Sequence, residues 1–294
     1  MRTSFNNNMV LLWLAFLAFL VIGAPAFGDT TADPSSSELQ QMQDFNIAGY
    51  GARGQKTWEV EGASMDMVDN EVAISDITAH LYGDKENMTL TADNGRFDKR
   101  SGVMRLENNV RATTDQGATL STDSLDWSQK EQLITTDDKV NINKNNMTAV
   151  ATGLEAKPDF KVAKLEKDVL LTIDLENKDS ESILNTGAKS KINVTCDGPM
   201  ELDYEKNFAI FNINVKVQGD PTQGTMYADK MTVYFGTDTK QIDKMEAEGH
   251  VKIVRDENTS LSERAVFTAA DKRMVLSGKP QLVIYTEEGF DVSP

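Results

Sequence analysis

The sequence predicts an all-β fold of stacked antiparallel hairpins that share a curled apolar interior, arranged as two tandem arrays. Three observations predict it. Apolar and polar residues alternate with a period of two, which puts one row of side chains on a common face of each strand. A short motif recurs along the chain, as it does where supersecondary units stack. In the middle of the apolar row a polar residue or glycine interrupts most copies, and such interruptions bend strands and curl sheets.

The motif first stands at Leu106-Glu107-Asn108-Asn109-Val110 and returns at Leu165-Glu166-Lys167-Asp168-Val169, Phe211-Asn212-Ile213-Asn214-Val215, Ala247-Glu248-Gly249-His250-Val251 and Leu276-Ser277-Gly278-Lys279-Pro280. A weaker copy, Thr136-Asp137-Asp138-Lys139-Val140, lies between the first two. The anchoring positions 110, 140, 169, 215, 251 and 280 are separated by steps of 30, 29, 46, 36 and 29 residues.

At the N-terminus, Arg2 is the only charge before an apolar run from Met9 to Ile22, and Ala24-Pro25-Ala26 then offers the small residues of a cleavage site. Residues 1–26 read as an export signal peptide. A retained membrane anchor is the alternative, because the run continued through Phe27 approaches the length needed to span a bilayer. Residues 27–43, rich in Ser, Asp and Gln, read as a flexible lead-in.

Residues 44–176 form the first expected array. Within it, Met104, Leu106, Val110 and Ala112 alternate along one strand, while Arg105, Glu107 and Arg111 take the opposite face. A second strand-like run precedes each copy and ends in a polar turn: Leu90 to Phe97 before Asp98-Lys99-Arg100-Ser101-Gly102, and Leu120 to Trp127 before Ser128-Gln129-Lys130-Glu131. Each period is thus a hairpin, and Asn108, Asp138, Lys167, Gly249 and Gly278 are the expected bends. The weakly patterned residues 177–190 account for the 46-residue step and are the expected linker. Residues 191–290 form the second array, with turns at Glu205-Lys206-Asn207, Thr237-Asp238-Thr239 and Asp271-Lys272-Arg273.

Composition excludes several function classes. Thirty Lys and Arg against 46 Asp and Glu leave a net charge of −16, so no positive field gathers nucleic acid. Cys196 is the only cysteine, so no intrachain disulfide forms, and without a His-containing motif beside it the thiol reads as structural. His80 and His250 are the only histidines and neither belongs to a metal or nucleophile motif, so no catalytic residue, metal or cofactor is expected. No GxxxxGK[ST] loop is present either, and energy for any directed process must come from elsewhere.

The alternating row supplies the candidate interior: Leu90, Phe97, Leu106, Val110, Leu120, Leu125, Val140, Leu165, Val169, Phe211, Val215, Val251 and Leu276. Periodicity assigns these residues to a face and does not distinguish a filled core from an accessible groove.

In this order and spacing the motifs resemble the LptC and LptA (OstA-like) families of lipopolysaccharide-transport proteins. The first half is similar to LptC in Trp58-Glu59-Val60-Glu61-Gly62-Ala63, Leu90-Thr91-Ala92-Asp93-Asn94-Gly95 and Gly102-Val103-Met104-Arg105-Leu106. The second half resembles LptA in Asp197-Gly198-Pro199-Met200-Glu201-Leu202-Asp203-Tyr204, Tyr227-Ala228-Asp229-Lys230-Met231 and the two last copies of the motif. The resemblance implies elongated slit β-jellyrolls whose apolar groove, lined by the thirteen residues above, shields lipid A acyl chains in the periplasm. It also implies partners: lipopolysaccharide, other jellyroll transport proteins joined by edge-strand pairing, and an inner-membrane ABC transporter complex. Two other readings share the repeats: a structural β-solenoid without lipid cargo, which would have a filled interior, and a polysaccharide-active β-helix enzyme, which would carry a carboxylate-lined cleft.

Overall fold

The computed structural model describes residues 40–51, 54–82, 87–128, 130–131, 133–157, 162–175, 190–203, 205–219, 224–237, 242–271 and 273–285. The expected signal peptide, all but the end of the lead-in and residues 177–189 of the expected linker lie outside the described residues.

Seventeen antiparallel strands make up the described chain, and no helix occurs among the described residues. They are β1 (Gln40–Tyr50), β2 (Lys56–Val68), β3 (Glu71–Tyr82), β4 (Asn87–Asp98), β5 (Val103–Thr114), β6 (Thr119–Ser128), β7 (Leu133–Lys144), β8 (Met147–Ala156) and β9 (Val162–Leu175). They continue with β10 (Ser190–Cys196), β11 (Met200–Asp203), β12 (Phe208–Gln218), β13 (Thr225–Phe235), β14 (Ile242–Arg255), β15 (Asn258–Thr268), β16 (Arg273–Ser277) and β17 (Gln281–Val283). By compactness the chain divides into a first unit, 1–145 with 153–160, and a second, 146–152 with 161–294.

In the first unit each strand from β1 to β7 pairs with the next in sequence. Such a meander follows from the hairpin period, because the alternating strands are joined by short polar turns. At Asp98, for example, one carboxylate oxygen accepts the backbone N–H groups of Arg100 at 2.7 Å and Ser101 at 3.1 Å. Inward-facing residues then align across the ladders into two rows. One runs Met65, Ile74, Gly95, Leu106, Leu125, and the other Val72, Phe97, Met104, Trp127, Ile134. The Ile77 side chain lies over Gly95 and fills the space its missing Cβ leaves.

The second unit repeats the plan from β9 to β17. Two of its strand paths are broken: β10 and β11 both pair with β9 and β12, and β16 and β17 both pair with β15. Pro199 and Pro280 stand at these breaks, where a residue lacking an N–H cannot continue a ladder. Its main inward row is Met200, Phe211, Met231, Ala247, Ala265, Leu276.

The interruptions in the motif are bends. Consecutive left-handed residues occur at Asn108 and Asn109, at Ile213 and Asn214, at Gly249 and His250, and at Gly278 and Lys279. The first three pairs coincide with register shifts in the ladders. A carboxylate on the preceding strand path secures three of these bends: Asn109 Nδ2 donates to Asp93 at 2.6 Å, Asn214 Nδ2 to Asp197 at 2.6 Å, and His250 Nδ1 lies 2.7 Å from Asp229. Two expected bends fall elsewhere. The left-handed residue of the β9 copy is Asp168 rather than Lys167, and Asp138 is not left-handed; the β6–β7 ladder shifts between Ser121 and Asp126 instead.

Candidate functional site: two apolar interiors and a methionine recess

The outer faces carry the charges. Arg105 bridges Glu107 and Asp126 at 2.9 Å each, and Glu246 accepts from Lys244 at 2.8 Å and Arg264 at 3.0 Å. Glu59 collects Lys56 Nζ at 2.9 Å, Asn46 Nδ2 at 3.0 Å and the Tyr82 hydroxyl at 3.1 Å, and the Lys56 bond foremost holds its carboxyl down to about 2. His80 Nδ1 lies 3.1 Å from Thr89 Oγ1 on the row Glu59, His80, Thr89. Among the described residues no group of three or more His, Cys, Asp or Glu is arranged to hold a metal ion. Cys196 is buried with its thiol donating to the Gly198 carbonyl at 3.3 Å, and desolvation pushes its pKa up to about 11, so little nucleophilic thiolate exists near neutral pH.

Twelve of the thirteen predicted interior residues are buried, from fully buried Val140 to Leu120 at 7% exposed, and Leu276 is half-buried. They divide between the two units. Leu90 and Phe97 on β4, Leu106 and Val110 on β5, Leu120 and Leu125 on β6, and Val140 on β7 belong to the first unit. Leu165 and Val169 on β9, Phe211 and Val215 on β12, Val251 on β14 and Leu276 on β16 belong to the second.

The interiors differ in material. The first unit buries Phe45, Trp58, Phe97 and Trp127 together with Met65, Val72 and Leu154. The second buries a cluster of Ala228, Ala247, Val251 and Ala265, against which Met226, Ile253 and Leu276 pack. Beside that cluster lies a recess with no polar lining, walled by Met226, Met231, Met245, Met274, Val217 and Phe267 over Ala247 and Ala265. Unbranched, polarizable methionine side chains refill their conformers around differently shaped apolar guests. Sequence reasoning placed Met231 in a motif but named no wall of methionines. The available signal was four methionines, two on β13 and one each on β14 and β16, around two alanines.

Family comparison divides the chain in two. Residues 9–174 match the model for lipopolysaccharide-assembly, LptC-related proteins, and residues 194–291 match the model for LptA/(LptD N-terminal domain) LPS transport proteins. No curated protein sequence matches the chain. Among solved structures, that of LptH, the LptA homologous periplasmic component of the lipopolysaccharide transport device from Pseudomonas aeruginosa, is 10% identical, with a TM-score of 0.31. The likeness covers 58% of this chain and 97% of that one.

Proposed function

Because the chain belongs to the LptC-related family of lipopolysaccharide-assembly proteins and carries an LptA/LptD-type module behind that match, we propose that it is a periplasmic carrier that shields lipid A acyl chains in an apolar groove during export to the outer membrane. The observation that carries this reading is a strand-built interior of apolar side chains, buried along one face of the strands. A methylene gains about 0.8 kcal/mol on leaving water, so an acyl chain of about a dozen carbons gains roughly 10 kcal/mol gross. Release into water is correspondingly slow, and a carrier must pass its cargo by contact.

The groove residues proposed are the thirteen interior positions named above, and the two modules are residues 44–176 and 191–290 with 177–190 as linker. The family matches support that division, since they leave 175–193 between them. Contact between carriers is proposed at the sheet edges, where unpaired N–H and C=O groups accept a further strand. One such contact is proposed at β1, the first described strand, which pairs with β2. An ATP-driven inner-membrane complex supplies the energy, and the carrier itself performs no chemistry.

Native mass spectrometry of the mature protein from a lipopolysaccharide-producing host tests the proposal. Co-purifying lipid A-bearing species are expected. A protein that stays lipid-free and also refuses added lipopolysaccharide would leave the structural β-solenoid as the better reading.

A further inference from the structure

The geometry points to a binding site for a soft monovalent metal ion, copper(I) or silver(I), held by the thioether sulfurs of Met226, Met231, Met245 and Met274 in the second unit. Methionine sulfur is a polarizable donor that needs no deprotonation to bind a metal, and it selects soft cations over hard ones. The four residues come from three strands, two on β13 and one each on β14 and β16, yet they line one recess. The site stands independently of the carrier reading and goes beyond it.

Register explains how the four meet. Met231 stands opposite Ala247, which stands opposite Ala265, so two methyl groups floor the middle of the recess. Met245 lies two residues before Ala247 and stands opposite Phe267, and Phe267 stands opposite Met274. Met231, Met245 and Met274 therefore surround the small floor from three sides. Met226 comes from beyond the β13–β14 bend, where the ladder shifts between Tyr227 and Lys230, and it reaches the same wall from there. Neighbouring strands lie about 4.8 Å apart, and each sulfur rides on an unbranched, freely rotating stem, so the donors can close over the alanines without moving the backbone. A closed-shell ion imposes no directional preference on its ligands, and this uneven set of three plus one suits it.

The rest of the lining selects against other ions. It is aliphatic or phenyl, with no oxygen or nitrogen, so magnesium and calcium would shed water without replacement and zinc would find neither thiolate nor imidazole. Cations are drawn to a chain of net charge −16, and Met274, 42% exposed, opens the recess to them. The strand plan itself does not ask for these thioethers. In the first unit the row corresponding to Met231, Ala247 and Ala265 is Gly95, Leu106 and Leu125, and Ile134 stands where Met274 does.

The test titrates the delipidated mature protein with silver(I) nitrate in chloride-free buffer and follows isotopically labelled methionine methyl groups by NMR. The resonances of Met226, Met231, Met245 and Met274 should shift together and saturate at one ion per chain, while Met42, 41% exposed on β1, stays unmoved. Zinc(II) at the same concentration should move none of the four. Copper(I) offered as its bicinchoninate complex should pass to the protein in the same ratio. Met231→Leu with Met245→Leu keeps the apolar volume and removes two donors, so it should weaken silver binding by roughly tenfold or more at a nearly unchanged urea midpoint. Silver that shifts Met42 as much as the four, or a folded double variant that binds as tightly as the wild type, overturns the site; if the variant does not fold, the wild-type spectra decide alone.

Discussion

His250 Nδ1 lies 2.7 Å from Asp229 Oδ2 across the β13–β14 bend, where Gly249 and His250 are both left-handed. Asp229 faces the imidazole from β13 and Glu263 from β15, and the bond to Asp229 foremost raises the His250 pKa above its usual 6.5. A raised folded pKa means that the pair stabilises the fold fully below the unfolded value and loses that contribution as pH rises through the folded one. The protein should therefore melt slightly higher at about pH 5.5 than at about pH 8.5, insofar as this pair contributes. In Asp229→Asn that component should shrink, with the His250 midpoint, followed by NMR, falling toward 6.5. A wild-type midpoint at or below 6.5 would show the contact to be absent in solution.

Val110 and Val251 are each 1% exposed on equivalent strands. An aspartate at either position would place a charge in an interior with no cation to meet it, at a cost of about 3–5 kcal/mol in urea unfolding. Arg111 is the matching control: it is exposed and stands between Thr91 and Ser121, so Arg111→Asp should change stability by less than about 0.5 kcal/mol. Arg105 is unsuitable for that role because Glu107 and Asp126 both hold it, and Asp126 is already raised in pKa by desolvation. Equal tolerance at Val110 and Arg111 would refute the assignment of faces.

The faces were legible because each strand has one dry and one wet side, so Leu106 and Arg105 differ in kind as well as position. Bends were legible where the residue type announces them, as at Asn108, Gly249 and Gly278. At Asp138 the polar residue has another use: its carboxylate accepts from Ser124 Oγ at 2.6 Å, and its N–H donates to Thr136 Oγ1 at 3.1 Å. The recess was not legible. Periodicity reports which way a side chain points and carries nothing about the volume opposite, so Ala247 and Leu106 read alike until register sets each beside its neighbour.

Trp58 is 2% exposed and its indole lies against Gly49, its direct partner on β1. A Cβ at Gly49 would fall inside the ring. Gly49→Ala should therefore push Trp58 out of place or lift the end of β1, costing about 1–3 kcal/mol as overpacking does. Phe45 is the one buried residue of β1, so little else resists the lift. Amide exchange should speed up along β1 and β2 while β4 to β6 stay protected, and the tryptophan emission should shift to the red. Unchanged exchange in β1 would show that the contact does not hold the strand.

Ile213 is the bend residue that its type would not announce: φ is 63°, in a region that a β-branched side chain adopts only under strain. Its side chain is 55% exposed and lies over Gly198, close enough that a Cβ there would stand 2.8 Å from Ile213 Cδ1. Burial returns little at such an exposed position, whereas asparagine or glycine enters the left-handed region readily. Ile213→Asn should thus stabilise the protein by about 1 kcal/mol, read as a rise in the urea midpoint at unchanged slope. The next residue should respond in the opposite sense. Asn214 shares the left-handed geometry at φ 54° and donates from Nδ2 to Asp197 at 2.6 Å. Asn214→Ile gives up that bond and acquires the strain, so it should cost about 2–3 kcal/mol. If Ile213→Asn instead destabilised, the isoleucine would be held at the bend by apolar contact with Gly198 rather than tolerated there.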